Sequence, residues 1–347
     1  MTTTASPVRP TTPAPRRGRR RLVGFVLLVV VLVLGVVLSL LVGARSIPAG
    51  DALEGILNPQ DTETSLIMWE LRIPRTILGI LAGAAFGVSG ALIQAVTRNP
   101  LADPGLLGVN AGAGFAIVVG IAVFGVGSAA GYVWFGLAGA LAASVMVYLL
   151  GAAGGVTASP VQLVLAGVAL SAVLGGITAT VTLLDPLLFQ QIRLWGIGSL
   201  TNVGLPEIVS CLPFFLVAIA LSLALGPSLN ALALGDDLAV ALGARTAVTR
   251  ALAIVAVTAL AGTATALTGG IAFVGLMVPH MVRWFTGPDQ RWILAYTLLA
   301  APALVLVSDV VGRVVVRPSE LEVGVVVAVI GAPVLIALVR RRRMSTL

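Results

Sequence analysis

GPSLNALALGDDLAVALGARTAVTR, residues 226–250, interrupts an almost wholly apolar chain with a stretch too short and too charged to cross a bilayer. It must lie outside the membrane, which places the apolar runs on either side of it within. Its apolar residues Leu232, Leu234, Leu238, Ala241 and Leu242 keep a mostly helical spacing, while Asp236, Asp237 and Arg245 stay available to water. An exposed apolar helix face wants a partner. In a chain that otherwise lives in lipid, this face reads as a docking platform for a soluble cytoplasmic subunit; a helix lying flat at the lipid interface is the alternative.

Working outward, 58% hydrophobic and 10% charged residues over 347 positions exclude a soluble globule and predict an all-α polytopic membrane protein. Spans of about 20 apolar residues are expected near 22–43, 76–96, 108–126, 132–152, 161–183, 205–225, 249–268, 270–286, 291–312 and 322–339, giving about ten transmembrane helices in one domain over 22–339. Residues 1–21, Thr- and Pro-rich and then Arg-rich, read as a disordered tail, and 340–347 as a second tail. Ten crossings put both ends on one side. Fifteen arginines then fall on that side and six on the other, so the positive-inside rule makes both termini cytoplasmic.

All 21 basic residues are arginine. Without lysine there is no GxxxxGK[ST] phosphate loop, so any nucleotide hydrolysis must come from another polypeptide. The net charge of +7 sits in terminal clusters beside spans, which fits anionic membrane lipid and not nucleic acid. One histidine, His280, makes no metal site, and the lone Cys211 in an apolar run reads as a packed hydrophobe. No cofactor site is expected. Gly79, Gly83 and Gly87, at four-residue spacing, predict close helix packing.

The segment 71–114, LRIPRTILGILAGAAFGVSGALIQAVTRNPLADPGLLGVNAGAG, carries the most specific pattern. Pro74 disfavours helix before it, so Arg72 and Arg75 are expected on an irregular turn at the outer mouth of the second span, open to bidentate bonds with carboxylates of an external partner or to pairing with Glu70 or lipid headgroups. At the other end of that span Asn99, Pro100, Asp103 and Pro104 make a rigid inner turn or gate.

This segment, with LALGDDLAVALGAR at 232–245, GGIAFVGLMVPHMVRW at 269–284 and SDVVGRVVVRPSELEVGVVVAVIGAPVLIALV at 308–339, resembles in order and spacing the FecCD-type permeases of ABC importers for iron-siderophore complexes, haem and vitamin B12. The resemblance implies the ten-helix fold of a vitamin B12 importer permease in a bacterial cytoplasmic membrane, with no catalytic site of its own. Its partners would be two cytoplasmic ATPases, a second permease subunit and an extracytoplasmic binding protein. By position, Arg72, Arg75 and Arg313 are similar to arginines that receive acidic residues of the binding protein, with Arg317 close enough to share the role. Leu234, Gly235, Leu238, Ala239, Leu242 and Gly243 are similar to coupling helices that sit in the ATPase groove, flanked here by Asp236 and Arg245. The commonest cargo in the family is an iron(III)-siderophore complex; vitamin B12 and haem are the alternatives. Val323 departs from the family's usual proline.

Asp309 lies one turn before Arg313, a favourable acid-then-base spacing, and a carboxylate within a span is costly unless paired. An ion-gradient-driven transporter would need several such groups, which argues against that class. Gln190 and Trp195, in the outer segment 184–204, are candidates for touching cargo, the tryptophan equally for interfacial anchoring.

Overall fold

The computed structural model describes residues 15–43, 47–59, 62–127, 129–152, 160–201 and 203–344. Its first helix, α1 (Pro15–Leu41), contains the apolar run expected as the first span but begins earlier, so Arg16 to Arg21 are helical. Arginine is a good helix former, and an established helix propagates through such residues at little cost. Residues 1–14 of the expected tail lie outside the described residues. A short helix, α2 (Ala49–Leu57), follows.

The irregular turn expected before Pro74 is replaced by an uninterrupted helix, α3 (Glu63–Thr97). Proline lacks an N–H and its ring crowds the carbonyl four residues back. The helix absorbs this by widening: Ile67–Arg72 is a π-helical segment, and the Ile73 N–H bonds Met68 O, five residues back. Such widenings recur at functional sites.

The chain continues through a 3-10 turn, Pro104–Leu107, into α4 (Val109–Phe124), α5 (Ala129–Ala152) and α6 (Pro160–Leu184). Next come α7 (Pro186–Gly196), whose first turn is capped by Asp185 Oδ1 accepting from the Leu187 N–H at 2.9 Å, and α8 (Leu205–Ala224). Two short helices, α9 (Gly226–Leu232) and α10 (Asp236–Ala241), form the polar interruption. Long helices resume with α11 (Thr246–Thr268), α12 (Val274–Thr286), α13 (Gln290–Val315) and α14 (Val323–Met344). Residues 340–344, expected in the second tail, continue α14, and 345–347 lie outside the described residues.

Ten helices therefore stand where ten spans are expected, and among the described residues no strand occurs. Seven are long and apolar enough to cross a membrane, while α4 and the apolar part of α14 are shorter. The span expected at 270–286 shrinks most. α12 has 13 residues, roughly 20 Å at 1.5 Å per residue. The chain before it is not helical, because Gly269 takes φ 71° and Phe273 φ 67°. A side chain at Gly269 would run into Trp195 O, its Cβ 1.8 Å away. Gly269 and Ile271 in this irregular stretch are buried, and the Thr268 carbonyl freed by the break accepts from the Ser199 N–H at 2.8 Å.

α3 is the axis of the molecule. Its apolar window is 83% buried against 6% for α6, and α8, α11, α12 and α13 pack around it. The expected glycine ridge explains how they come so close. Gly79 faces Leu306, Gly83 lies against the backbone of Pro302 in α13, and Gly87 meets Ala301 and Thr297. Cys211 is fully buried in the same core.

Candidate functional site

The platform consists of two short helices, α9 and α10. Gly235, at φ 104°, turns the chain between α9 and α10 in a conformation that only glycine adopts readily. Leu229 and Leu232 are buried beneath, whereas Leu234, Leu238, Val240 and Leu242 stand more than half exposed. Gly243, Asp237 and Arg245 lie at the surface with them. Val240 was not among the residues read from sequence. Two expectations need correction. Ala239 is fully buried, so it supports the platform from below and offers no docking contact. Asp236 is not simply left to water: Arg250 donates to it at 2.8 Å, and Arg98 pairs with it as well.

The expected inner turn adjoins this face. Asn99 Oδ1 accepts from the Leu101 N–H at 3.0 Å, and Asp103 Oδ1 from the Gly105 N–H at 2.8 Å, which caps the 3-10 turn that Pro104 begins. Pro100 sits in the tight turn between them. These bonds make the segment rigid, as its composition suggests. Burial pushes the Asp103 carboxyl above the usual range, partly offset by the Gly105 N–H. Ionised Asp103 therefore opposes folding: the stability it contributes when protonated is lost as pH rises through its raised value. Asp103→Asn keeps the cap without ionising. It is expected to raise the melting temperature of the purified protein at neutral pH, with the gain closing as pH falls toward the ordinary carboxyl range.

At the other end of α3, Arg72, Arg75 and Arg313 line a cleft of about 470 Å³ with Glu70, Leu200 and Glu320. Their placement departs from the expected exposed docking set. Arg72 is buried and donates to Leu40 O at 2.6 Å and Leu41 O at 3.0 Å, covering carbonyls at the end of α1 that have no helical partner. Arg313 is likewise buried, donating to Ser39 O at 2.7 Å and Val42 O at 3.1 Å and pairing with Asp309. The Asp309–Arg313 pair expected from spacing is present, and Arg75 joins it. Arg75 grips Asp309 through Nε and a terminal nitrogen, at 3.0 and 2.7 Å, and Glu320 at 2.6 Å. Glu320 is a participant the sequence reading missed. Arg317 remains exposed and donates to Gly43 O at 2.9 Å.

Beside the cleft, a second cavity of about 360 Å³ is lined by Tyr132, Gln191, Trp195, Thr201 and Glu322. Trp195 thus faces a cavity, whereas Gln190 borders a separate surface hollow with Thr182 and Arg193. Another residue not anticipated is Gln94, buried between helices. It donates to Gly275 O and Leu276 O, both at 3.1 Å, and accepts from Arg283 at 2.6 Å.

Residues 31–341 match the FecCD transport family. The ferric enterobactin transport system permease protein FepD of Escherichia coli (strain K12) is 52% identical over 315 residues, which is 91% of this chain and 94% of that protein. The Fe(3+)-citrate import system permease protein YfmD of Bacillus subtilis (strain 168) is 35% identical over 330 residues, covering 95% of this chain and 98% of that one. A solved structure described as an inward-facing conformation of a metal-chelate type ABC transporter superposes with a TM-score of 0.80 at 26% identity, over 92% of this chain and 99% of that chain. With the helical bundle, the apolar platform and the arginine cleft in place along that full length, the chain belongs to the FecCD transport family of membrane permeases.

Proposed function

We propose that this chain is a permease subunit of a binding-protein-dependent ABC importer that carries an iron(III)-siderophore complex across the bacterial cytoplasmic membrane. Both termini and the platform lie on the cytoplasmic side. One of the assembly's two cytoplasmic ATPase subunits docks on Leu234, Leu238, Val240 and Leu242, with Gly235, Gly243 and Arg245 at the margin. An extracytoplasmic binding protein delivers cargo at the arginine cleft, with the exposed Arg317 nearby, and a second permease subunit completes the path. ATP binding and hydrolysis in the partner shift the population between conformations open to either side.

The observation that carries this reading is the platform: four large apolar side chains held out by short helices at the end of a membrane bundle, in a chain without a nucleotide-binding loop of its own. The choice of cargo is supported by two relatives whose names specify ferric enterobactin and Fe(3+)-citrate. Asp309 is held in ion pairs with Arg75 and Arg313, a structural pairing that weighs against a gradient-driven transporter.

The test is uptake of a radiolabelled panel of ferric siderophores, haem and cobalamin in cells deleted for this chain, restored with the parent or with Leu238→Asp. Leu238 is 58% exposed, so the variant should fold. One ferric complex should be imported by the parent and at least about tenfold less by the variant at equal membrane level, the loss typical of a charge placed at a central interface residue. Unchanged uptake of every ferric complex on deletion would remove the iron assignment, and full activity of Leu238→Asp would remove the platform.

A further inference from the structure

We propose that the cluster Arg98–Asp236–Arg250 is the joint through which movement of the platform reaches α3; this rests on the reading of the platform as the ATPase seat. Three elements meet at one carboxylate. Arg98 ends α3, Arg250 lies in the first turns of α11, and Asp236 begins α10. Arg250 holds both Asp236 oxygens, at 2.8 and 3.0 Å, and Arg98 pairs with the nearer of the two.

The platform divides into an anchored part and a hinged part. α9 is tied to the start of α13, because Asn230 donates to Asp289 at 2.8 Å and accepts from the Gln290 N–H at 2.7 Å. α10 is held to the membrane helices through Asp236 and is bracketed by Gly235 and Gly243, both at positive φ. Two glycines of that kind around a helix of 6 residues let it swing as a unit. Asp236 is therefore where a swing of α10 would be felt by the membrane helices.

What it would pull on is α3. Arg98 takes φ 51°, a left-handed conformation uncommon for a residue with a side chain and therefore worth a functional question. From Arg98 the helix runs without a break to Glu63 and carries Arg75 at its far end. A displacement at Arg98 is thus passed along a rigid rod to the arginine cleft. Stability does not account for the cluster, since Arg98 and Asp236 are 41% and 45% exposed and pairs of that kind contribute little. That exposure also means that variants should fold.

The test uses the importer assembled with its own ABC ATPase in lipid nanodiscs. Leu71, 62% exposed beside the cleft, is changed to cysteine and carries an environment-sensitive fluorophore, with Cys211→Ala removing the native thiol. The parent should show a fluorescence change on ATP and vanadate. In Arg98→Gln and Asp236→Asn the change should fall at least about fivefold, the lower end of usual coupling between sites, with the ATPase still bound; Arg98→Lys should restore it. The double variant should lose no more than either single one. The joint is overturned by an undiminished signal in Arg98→Gln, by a parent that gives no ATP-dependent signal, or by a loss of signal that merely tracks loss of the ATPase. Leu238→Asp separates the two ideas: an ATPase that still binds this variant removes the platform reading, whatever Arg98 does.

Discussion

Gly90→Ala is expected to prevent the chain from accumulating in folded form, although it adds a single methyl group. At Gly90 the backbone of α3 touches the backbone of α12: a Cβ there would lie 2.0 Å from Gly275 O and 2.4 Å from Gly275 Cα. Gly275 is tight in the other direction too, a Cβ there lying 2.7 Å from Phe86 O. Neither wall is a side chain that can rotate aside, so the helices must separate. One turn further along, separation breaks the two bonds from Gln94 to Gly275 O and Leu276 O. Overpacking of this kind costs about 1–3 kcal/mol and each lost hydrogen bond about 1 kcal/mol, which together approach the margin by which ordinary domains are stable. Gly175→Ala is the control. No heavy atom lies within 4 Å of a Cβ at that site on α6, so the same chemical change should be silent. Membrane-fraction level, monodispersity after extraction and melting temperature should all fall for the first variant and hold for the second. A stable, monodisperse Gly90→Ala protein would mean that α3 and α12 are not in backbone contact.

The glycines show what sequence could and could not supply. The spacing of Gly79, Gly83 and Gly87 marks a ridge, and that ridge does meet α13. Gly90 falls outside the four-residue rhythm and faces another helix, so its tighter contact has no local signature. The spans were legible because apolar length is a property of the chain itself: α13 stands where it was expected, and α3 contains its expected span although it begins earlier, at Glu63. α12 is shorter than expected because Gly269 and Phe273 take positive φ, a conformational choice that depends on what they pack against. The platform was visible as a polar interruption, yet the family resemblance, carried over by position, counts Ala239 among the docking residues. The break at Gly235 buries Ala239 and brings out Val240. The arginines were the hardest to place. Their type and position at the ends of spans suggested docking, but the partners that bury Arg72 and Arg313 are carbonyls at the end of α1, 31 and 274 residues away. No pattern within a window shows a bond of that span.

The same long-range pairing sets the second large effect, at Asp309. Its carboxylate is fully buried and shared by two arginines, one on its own helix and one on α3, while Glu320 takes the remaining face of Arg75. Asp309→Asn keeps the shape and removes the charge, leaving two guanidinium groups against an amide in a region with little water. Breaking a buried pair from one side costs on the order of 3–5 kcal/mol, because the surviving charge is uncompensated. The expected result is a large fall in melting temperature and in membrane level. Arg313→Gln should cost less, since Arg75 still satisfies Asp309. The double variant Asp309→Asn/Arg313→Gln should recover part of the loss, because one orphaned charge goes with its partner. An additive double variant would show instead that Asp309 answers to Arg75 alone. That distinction bears on transport, because Arg75 is the group at which the rod α3, the helix α13 and the exposed Glu320 converge. A carboxylate arriving from outside at this cleft would compete with Glu320 for Arg75, while Asp309, buried and doubly held, would keep the two helices locked together as it did so.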